Sequence, residues 1–306
     1  MNIAIIGANG FIGKHLVDSL SKNSQNDLFL FGRSEDYLSN SNLNYKKIDL
    51  FNSIQNSEYF KNIDFIYYLV SASIPSSTWE NPSLEIENNL IPFITFLECI
   101  TKLSVKKIVF ISSAGTIYGS SEQELTENSN KKPFSPYGIN KVTMEYYLNY
   151  FEVKYNLKYS IFRVSNIYGE GQDTSKGLGI INTFLEKIIL ENSVTVFGNG
   201  SVIRNYIYVK DVAKIIANSI NSDLEKSEIY NLSSNDSFSI NELIDILKLN
   251  LNENFSVIYI GTRESDNPKI LLDNTKLTTE FINLEFTPFQ EGIYNTYLEL
   301  KKKINL

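Results

Sequence analysis

The chain has 306 residues, of which 42% are hydrophobic and 21% are charged, and this balance predicts a globular protein with a substantial buried core. Its formal net charge of −7 argues against a nucleic-acid-binding surface, because such surfaces depend on Lys and Arg contacts to phosphates. The sequence contains one cysteine, Cys99, and one histidine, His15, which excludes an intrachain disulfide and a Cys- or His-rich metal cluster, so no metal site is expected.

The sequence predicts a cytoplasmic protein with no membrane partner. No apolar run approaches the roughly 18–20 residues needed to span a bilayer. Met1 leads directly into a strand-like stretch, so no signal segment is expected. A content of one cysteine fits a reducing compartment.

The first half of the chain alternates short apolar runs with segments of helical spacing. The predicted strands are Ile3–Ile6, Leu28–Phe31, Phe65–Val70, Lys107–Ser112 and Tyr159–Val164. Helices are predicted over Phe11–Leu20 and Leu84–Thr101. Because such alternation places helices on both faces of a parallel sheet, we expect an α/β protein in which residues 1–168 form a Rossmann-type, doubly wound dinucleotide-binding domain.

The remaining sequence, residues 169–306, predicts a smaller α/β substrate-binding region. Its predicted elements are the helices Ile180–Leu190, Ile240–Leu249 and Gln290–Lys302, a helix capped by Asp211, and the strands Val194–Phe197 and Val257–Ile260. Two further predicted strands, Tyr206–Val209 and Ile229–Leu232, are expected to rejoin the main sheet, so the stretch near 202–235 partly interleaves with the first domain. We expect the ligand in the cleft between the two parts.

A glycine-rich turn follows the first predicted strand and opens the first predicted helix. Its spacing is G-x-x-G-x-x-G, whereas the common dinucleotide fingerprint is G-x-G-x-x-G. Glycines permit the tight turn and let the backbone approach a pyrophosphate at a helix N-terminus. We therefore expect the cofactor to bind at Gly7, Asn9, Gly10, Phe11, Ile12 and Gly13.

The end of the second predicted strand bears on the choice between NAD and NADP. An acidic residue there bonds the ribose hydroxyls of NAD, whereas an arginine can accept the phosphate of NADP. Arg33 and Ser34 stand at this point and no acid does, which favours NADP. NAD held by Asp36 or by the backbone is the alternative. Asp49 and Leu50 in the next loop are expected to reach the adenine ring.

Tyr137 and Lys141 are four residues apart in a predicted helix, so their side chains share one helical face. A tyrosine with a pKa of about 10 is a poor base at neutral pH. A nearby ammonium, reinforced by a positive nicotinamide ring, favours the phenolate. Together with the glycine turn and with Ser112 and Ser113 at a strand end, the pair predicts an oxidoreductase site.

With these motifs the chain resembles the extended short-chain dehydrogenases that act on nucleotide sugars, the NAD-dependent epimerase/dehydratase family. The resemblance extends over nearly the whole chain. The matching stretches are the glycine turn 7–13, Asp49-Leu50, Asn89 with Pro92, SSAGTIYG at 112–119, the Tyr137/Lys141 pair, RVSNIYG at 163–169 and FGNGSVIRNYIYVKD at 197–211.

The resemblance implies roles at the cofactor. Tyr137 would be the acid and base, and Lys141 would contact the nicotinamide ribose. Val70, Asn89 and Ser112 would also lie at the cofactor. The resemblance further implies a homodimer formed through the two helices that cover residues 84–101 and 141–155.

For the substrate, the resemblance implies a nucleotide sugar. Asn166 would lie beside it, Phe197 would face the nucleotide base, and Arg204 and Arg263 would clamp the diphosphate through guanidinium–phosphate hydrogen bonds. Asn205 stands where an aspartate is usual, a change expected to affect only loop hydrogen bonds.

The chain departs from the family pattern at the third catalytic group. A serine or threonine is usual four residues before Tyr118, where this chain has Ala114, so Ser113 or Thr116 would have to supply the hydroxyl. Dehydratases carry an Asp–Glu pair where Gly115 and Thr116 stand, so a 4,6-dehydratase is not expected.

Two enzyme functions and one other remain open. A 4-keto-sugar reductase of surface-polysaccharide biosynthesis is slightly favoured by Arg33 and by the missing hydroxyl at Ala114. A nucleotide-sugar 4-epimerase with tightly bound NAD is the alternative. A non-catalytic NAD(P)-binding regulator is the third, and the retention of Tyr137 and Lys141 argues against it.

Overall fold

The structure is a computed structural model that describes residues 1–34, 44–50, 57–74, 79–175, 177–221, 223–251, 253–261 and 269–304. Within these residues the strands are β1 (Asn2–Ile6), β2 (Asp27–Gly32), β3 (Asn44–Lys47), β4 (Phe65–Tyr68), β5 (Lys107–Ser113), β6 (Lys158–Val164), β7 (Asn166–Tyr168), β8 (Ser193–Phe197), β9 (Ile203–Tyr208), β10 (Glu228–Leu232), β11 (Ser237–Ser239), β12 (Ser256–Ile260) and β13 (Lys269–Ile270).

The helices in the same residues are α1 (Phe11–Leu20), α2 (Ser83–Glu85), α3 (Ile91–Ile100), α4 (Ala114–Ile117), α5 (Pro136–Tyr155), α6 (Ile180–Glu191), α7 (Val209–Asn218), α8 (Ile240–Leu251), α9 (Thr275–Glu280) and α10 (Phe289–Ile304). A π-helical turn, Ile86–Leu90, joins α2 to α3. In the part of the chain that the structure describes, no helix combines the length and the apolar character needed to span a bilayer.

Seven strands of the described residues form one sheet in the order β10-β6-β5-β4-β1-β2-β3. The neighbours β5, β4, β1, β2 and β3 pair in parallel, and Ile3 of β1 lies opposite both Leu28 and Phe65. Residues Ile3–Ile6 of β1 are fully buried, as expected for a parallel strand covered on both faces. The Rossmann-type α/β fold predicted from the sequence is confirmed.

Two consecutive tyrosines of β4 show that helices cover both faces of this sheet. Successive side chains of a strand point to opposite faces. The ring of Tyr68 packs against Phe93 and Phe96 of α3, with centroid distances of 4.9 and 5.5 Å. The hydroxyl of Tyr67 donates to the backbone oxygen of Ile216 in α7 at 3.0 Å. The sheet is therefore doubly wound.

The chain forms two compact units. Unit 1 comprises Met1–Tyr118, Asn130–Arg163 and Ala213–Tyr230, and unit 2 comprises Gly119–Ser129, Val164–Val212 and Asn231–Leu306. In unit 2, β9 pairs with β11, β13 and β7, and β8 forms a separate parallel pair with β12.

Two expectations for the second half of the chain are wrong. The predicted strand Tyr206–Val209 does not rejoin the main sheet, because β9 uses its hydrogen bonds to pair with short strands of unit 2, whereas Ile229–Leu232 falls within β10 at the edge of the main sheet. Asp211 does not cap a helix, because α7 already begins at Val209. Its carboxylate instead accepts hydrogen bonds from the backbone N–H and the hydroxyl of Thr287, at 2.8 and 2.9 Å.

Candidate active site

In the glycine turn after β1, backbone segments approach each other more closely than side chains at these positions would allow. Gly7 has a φ of +92°, a left-handed conformation that favours glycine. The backbone N–H groups of Gly7 and Ala8 both donate to the oxygen of Phe31 in β2, at 2.8 and 3.1 Å. A Cβ at Gly13 would collide with the carbonyl oxygen of Gly7. Glycine at position 13 therefore lets the first turn of α1 lie directly on the loop.

The start of α1 at this turn is suited to bind an anion. The helix begins at Phe11 after Gly10, no side-chain hydrogen bond caps it, and its first turn contains no acidic residue. The first N–H groups of a helix lack partners within the helix, and its dipole favours negative charge at this end. The residues present, Gly7, Gly10 and Gly13 among them, therefore fit the diphosphate of a dinucleotide.

The end of β2 is held against the same turn. The amide of Asn9 donates to the hydroxyl of Ser34 at 2.8 Å, and the hydroxyl of Tyr45 donates to the backbone oxygen of Ser34 at 2.6 Å. Arg33 and Asp49 are exposed, and Leu50 is half-buried. Asp36, the acid named in the NAD alternative, lies outside the described residues.

Tyr137 and Lys141 lie in the first two turns of α5. The hydroxyl of Ser135 accepts a hydrogen bond from the N–H of Gly138 at 3.1 Å and so caps this helix. The Nζ of Lys141 donates to the backbone oxygen of Ile111, near the end of β5, at 3.0 Å. The same nitrogen lies 5.5 Å from the ring centroid of Tyr137. The predicted pair is therefore brought together at the end of a central strand.

A residue that sequence analysis missed, Ser71, contacts Tyr137. It follows β4 in the loop that also contains Val70. Its hydroxyl donates to the backbone oxygen of Ser73 at 2.9 Å, and it lies close enough to Tyr137 to lower the pKa of that side chain. Since β1, β4 and β5 are parallel neighbours, the glycine turn, Ser71 and the end of β5 lie at one edge of the sheet. This edge, beyond the carboxyl ends of the strands, is where open α/β sheets bind ligands.

The environment moves the pKa values of Tyr137 and Lys141 apart. Burial raises the pKa of Tyr137 to about 12; the hydrogen bond with Ser71 lowers it, and the charge of Glu85 raises it. Burial lowers the pKa of Lys141 to about 8, while Glu85 and Glu145 act in the opposite direction. The protein alone thus keeps Tyr137 protonated at neutral pH, so the phenolate depends on a further positive charge such as an oxidised nicotinamide ring.

The serines at the end of β5 have different surroundings. Ser112 is buried, and its hydroxyl donates to Oε1 of Glu145 at 2.7 Å. Ser113 is half-buried and makes no side-chain hydrogen bond to the start of α4. Thr116 is also half-buried, with its hydroxyl 3.4 Å from the backbone oxygen of Ser113, and Ala114 is fully buried. Ser113 and Thr116 are therefore the hydroxyls that a ligand could reach.

Glu145 belongs to a buried ion pair that was not predicted. Arg163 has no exposed surface, and it donates to both carboxylate oxygens of Glu145, at 3.1 and 2.7 Å. It also donates to the hydroxyl of Tyr118 at 2.7 Å. One signal was available in the sequence, because Tyr137, Lys141 and Glu145 recur every four residues on one face of α5.

Asn89, expected at the cofactor, has its amide engaged within unit 1. Its nitrogen donates to the hydroxyl of Ser73 at 3.0 Å and to Oε1 of Glu85 at 2.9 Å. Its oxygen accepts the N–H of Ala72 at 2.7 Å. The amide therefore orients the loop after β4, and any effect on a cofactor passes through that loop.

The residues expected to bind substrate lie in unit 2. Asn166 of β7 is exposed and donates to the backbone oxygen of Asn205 in β9 at 3.0 Å. Arg204, also in β9, donates to the backbone oxygen of Ile203 at 2.8 Å. Asn166 and Arg204 are therefore on adjacent strands, since β7 and β9 pair in parallel.

A third expected substrate residue, Phe197, is separate from these. Phe197 ends β8 and lies opposite Ile260 of β12, outside the sheet that contains β7 and β9. Arg263 lies outside the described residues. At Asn205, the amide oxygen accepts the N–H of Leu272 at 2.8 Å, a bond that an aspartate oxygen could make equally well. The described residues contain no group of three or more His, Cys, Asp or Glu arranged to hold a metal ion.

Comparison with known proteins gives a consistent result. Residues 3–233 match the NAD dependent epimerase/dehydratase family. A protein of Methanocaldococcus jannaschii named "Putative UDP-glucose 4-epimerase" is 32% identical over 280 residues, which cover 90% of both chains. A dTDP-4-dehydro-6-deoxyglucose reductase of Escherichia coli is 27% identical over 288 residues, 91% of this chain and 90% of that one.

A solved structure agrees with these relatives. UDP-glucose 4-epimerase of Thermotoga maritima, in complex with UDP-glucose, superposes with a TM-score of 0.90 at 28% identity, and the match covers 99% of this chain and 100% of that one. The glycine turn, the Tyr137/Lys141 pair and these similarities lead to one conclusion: the chain belongs to the NAD dependent epimerase/dehydratase family of enzymes.

Proposed function

We propose that this protein is a nucleotide-sugar 4-epimerase that uses bound NAD and acts on a UDP-activated hexose. The observation that carries the proposal is the contact of Tyr137 with Ser71 and of Lys141 with Ile111, at the sheet edge to which the glycine turn also belongs. This arrangement suits hydride and proton transfer at one sugar carbon. The proteins from M. jannaschii and T. maritima support the epimerase over the reductase that the sequence slightly favoured.

The chemistry that bound NAD supplies is reversible hydride transfer at carbon 4 of the sugar. Its diphosphate would rest on Gly7, Gly10 and Gly13. Tyr137, as the phenolate, would take the proton of the 4-hydroxyl when the carbon is oxidised to a ketone. It would return the proton to the oxygen when hydride is delivered to the opposite face. Lys141 would stabilise the phenolate by its positive charge.

The remaining predicted residues complete the proposal. Ser113 or Thr116 would donate a hydrogen bond to the sugar oxygen in place of the hydroxyl missing at Ala114. Asn166, Phe197, Arg204 and Arg263 would hold the nucleotide sugar. The division into a dinucleotide-binding part, 1–168, and a substrate-binding part, 169–306, and the cytoplasmic location stay predictions.

We also propose the homodimer that the resemblance implied. Apolar side chains are exposed on the π-helical turn, at the start of α3 and on α5, within the stretches expected to form the interface. These residues are Ile86, Ile91, Tyr146, Tyr150 and Val153. Burial of such a set would favour association. Light scattering coupled to gel filtration tests this, with a mass of twice the chain expected and the mass of one chain as the contrary result.

A 4-keto-sugar reductase is the second candidate. It is favoured by the exposed Arg33 at the end of β2, which suits NADP, and by the similarity to the E. coli reductase. The two functions differ in cofactor use. Purified protein is incubated with UDP-galactose or UDP-N-acetylglucosamine without added cofactor. Steady conversion to the 4-epimer supports the epimerase, whereas conversion of a 4-keto sugar only with equimolar consumption of NADPH supports the reductase.

A further inference from the structure

A buried carboxylate, Glu85, lies next to the candidate catalytic pair. Glu85 is 2% exposed and lies at the end of α2, where the π-helical turn begins. Its Oε1 accepts hydrogen bonds from Ser73 at 2.8 Å, Asn89 at 2.9 Å and Asn140 at 3.2 Å. All three donors are neutral side chains. These hydrogen bonds fix the position of the carboxylate inside the protein.

The three donors come from three segments, and Glu85 joins them. Ser73 belongs to the loop after β4, Asn89 to the π-helical turn and Asn140 to α5, between Tyr137 and Lys141. Asn89 adds a second connection to the loop, through the N–H of Ala72. The loop so held is the one from which Ser71 contacts Tyr137.

Charged groups from several elements lie near Tyr137 and Lys141. Glu85 approaches from α2, and Glu145 lies on α5 itself. The charge of Glu145 is shared with Arg163 of β6 through a bidentate ion pair. From β5 the contact with Lys141 is the neutral backbone oxygen of Ile111, and from the loop after β4 the contact with Tyr137 is the neutral Ser71.

Two further groups surround the ion pair. Tyr118 accepts from Arg163, and Lys131, whose pKa is lowered by burial and by Arg163, also interacts with Glu145. Arg163 donates to both carboxylate oxygens of Glu145, whereas the hydrogen bonds at Oε1 of Glu85 come from Ser73, Asn89 and Asn140.

We propose that Glu85 is a positioning residue for the reaction proposed above, which holds the Ser71–Ile74 loop against α5 and places a negative charge near Tyr137 and Lys141. Removal of its charge lowers the pKa of both partners, because a negative neighbour favours the ammonium and disfavours the phenolate. Lys141 then loses its proton at lower pH, and Tyr137 ionises at lower pH.

The first test measures Lys141 without any reaction. The protein and its Glu85→Gln variant are labelled with carbon-13 at the lysine ε position and titrated by NMR, with the Lys141 signal assigned by its loss in Lys141→Arg. We expect the midpoint in Glu85→Gln to fall by about one pH unit. The control is Glu87→Gln, since Glu87 is exposed two residues away, and it should leave the midpoint in place. An unchanged midpoint in Glu85→Gln overturns the proposal.

The second test uses the pH dependence of kcat with a UDP-hexose. In Glu85→Gln the acid limb and the alkaline limb of the pH profile of kcat should both move to lower pH. A purely structural role would lower kcat without moving either limb. Limbs at the positions of the wild type contradict the proposal. If the wild type shows no epimerase activity but the NMR midpoint falls, the proposed function fails and the effect of Glu85 on Lys141 stands.

A variant with the charge intact covers the case in which Glu85→Gln does not fold. Ser73→Ala removes one donor to Glu85 and loosens the loop. The proposal requires kcat to fall several-fold with the Lys141 midpoint unchanged. A kcat equal to that of the wild type overturns it.

Discussion

The hydroxyl of Ser112 lies 2.7 Å from Oε1 of Glu145, and both residues are buried. This bond ties the end of β5 to the helix that contains Tyr137 and Lys141. It also commits the hydroxyl of Ser112 to the protein. A serine that the sequence placed at the cofactor is thereby connected to a buried ion pair between Glu145 and Arg163.

Loss of the Glu145 charge should destabilise the fold. In Glu145→Gln the guanidinium of Arg163, which has no exposed surface, loses its buried counter-charge. Breaking a buried pair from one side costs about 3–5 kcal/mol. Urea denaturation followed by circular dichroism measures the free energy of unfolding. Glu58→Gln is the control, because its ion pair with Lys61 is exposed and should change stability by under ~1 kcal/mol. Equal losses in the two variants would refute the role of the buried pair.

Tyr137→Phe should lower kcat by about 10²–10⁴-fold with little effect on folding, the contribution that general acid–base catalysis by one group makes. The hydroxyl is the only part of the side chain removed. Steady-state rates with a UDP-hexose check this, with NAD affinity measured separately to show an intact site. The control is Tyr146→Phe on the same helix, since Tyr146 is 63% exposed. Undiminished kcat in Tyr137→Phe would remove Tyr137 from the mechanism.

Two alanine variants test whether Ser113 or Thr116, rather than Ser112, supplies the hydroxyl that is missing at Ala114. Ser112→Ala should cost about 1 kcal/mol of stability, from the lost bond to Glu145, and leave kcat nearly unchanged. The double variant Ser113→Ala/Thr116→Ala should lower kcat by about 10²-fold, the effect of losing one donor to a developing oxyanion. A larger loss of kcat in Ser112→Ala than in the double variant would contradict this assignment.

Gly13→Ala should prevent dinucleotide binding. A Cβ at this position collides with the oxygen of Gly7, so the turn has to open where the diphosphate is expected. Isothermal titration with NAD measures the affinity. Gly261→Ala is the control, because a Cβ there meets no atom within 4 Å and would leave NAD affinity as it is. Equal affinities in the two variants would exclude the turn as the cofactor site.

Lys141 should make stability rise with pH above about 8. Burial lowers its pKa from 10.5 to about 8, so between these values the unfolded chain binds more protons than the folded one. Stability therefore rises with pH in this window by up to about 1.4 kcal/mol per pH unit from this group. Unfolding free energies at pH 8.0 to 9.5 for the wild type and Lys141→Met give the difference in slope. Parallel curves would mean that Lys141 titrates as an ordinary lysine.

The sequence predicted the parts of the site that depend on local spacing. The glycine turn is recognisable because Gly7, Gly10 and Gly13 stand between a predicted strand and a predicted helix. Tyr137 and Lys141 share a helical face because they are four residues apart. Such features need no knowledge of distant contacts.

The contacts of Ser71 and Glu85 were not predicted. Ser71 reaches Tyr137, and Glu85 reaches Asn140, only because the loop after β4, α2 and α5 meet in three dimensions. The predicted strand Tyr206–Val209 was misassigned for a similar reason. An apolar β-rich run indicates a strand but does not identify its partner, and β9 pairs within unit 2.

In the proposed reaction the protein removes hydride from carbon 4 of a sugar and returns the same hydride. Purified protein, with no cofactor added, is incubated with UDP-glucose that carries deuterium at carbon 4, and the product is analysed by mass spectrometry and NMR. We expect UDP-galactose that retains the deuterium at carbon 4. Absence of UDP-galactose, or UDP-galactose that has lost the label to solvent, would contradict the proposed reaction.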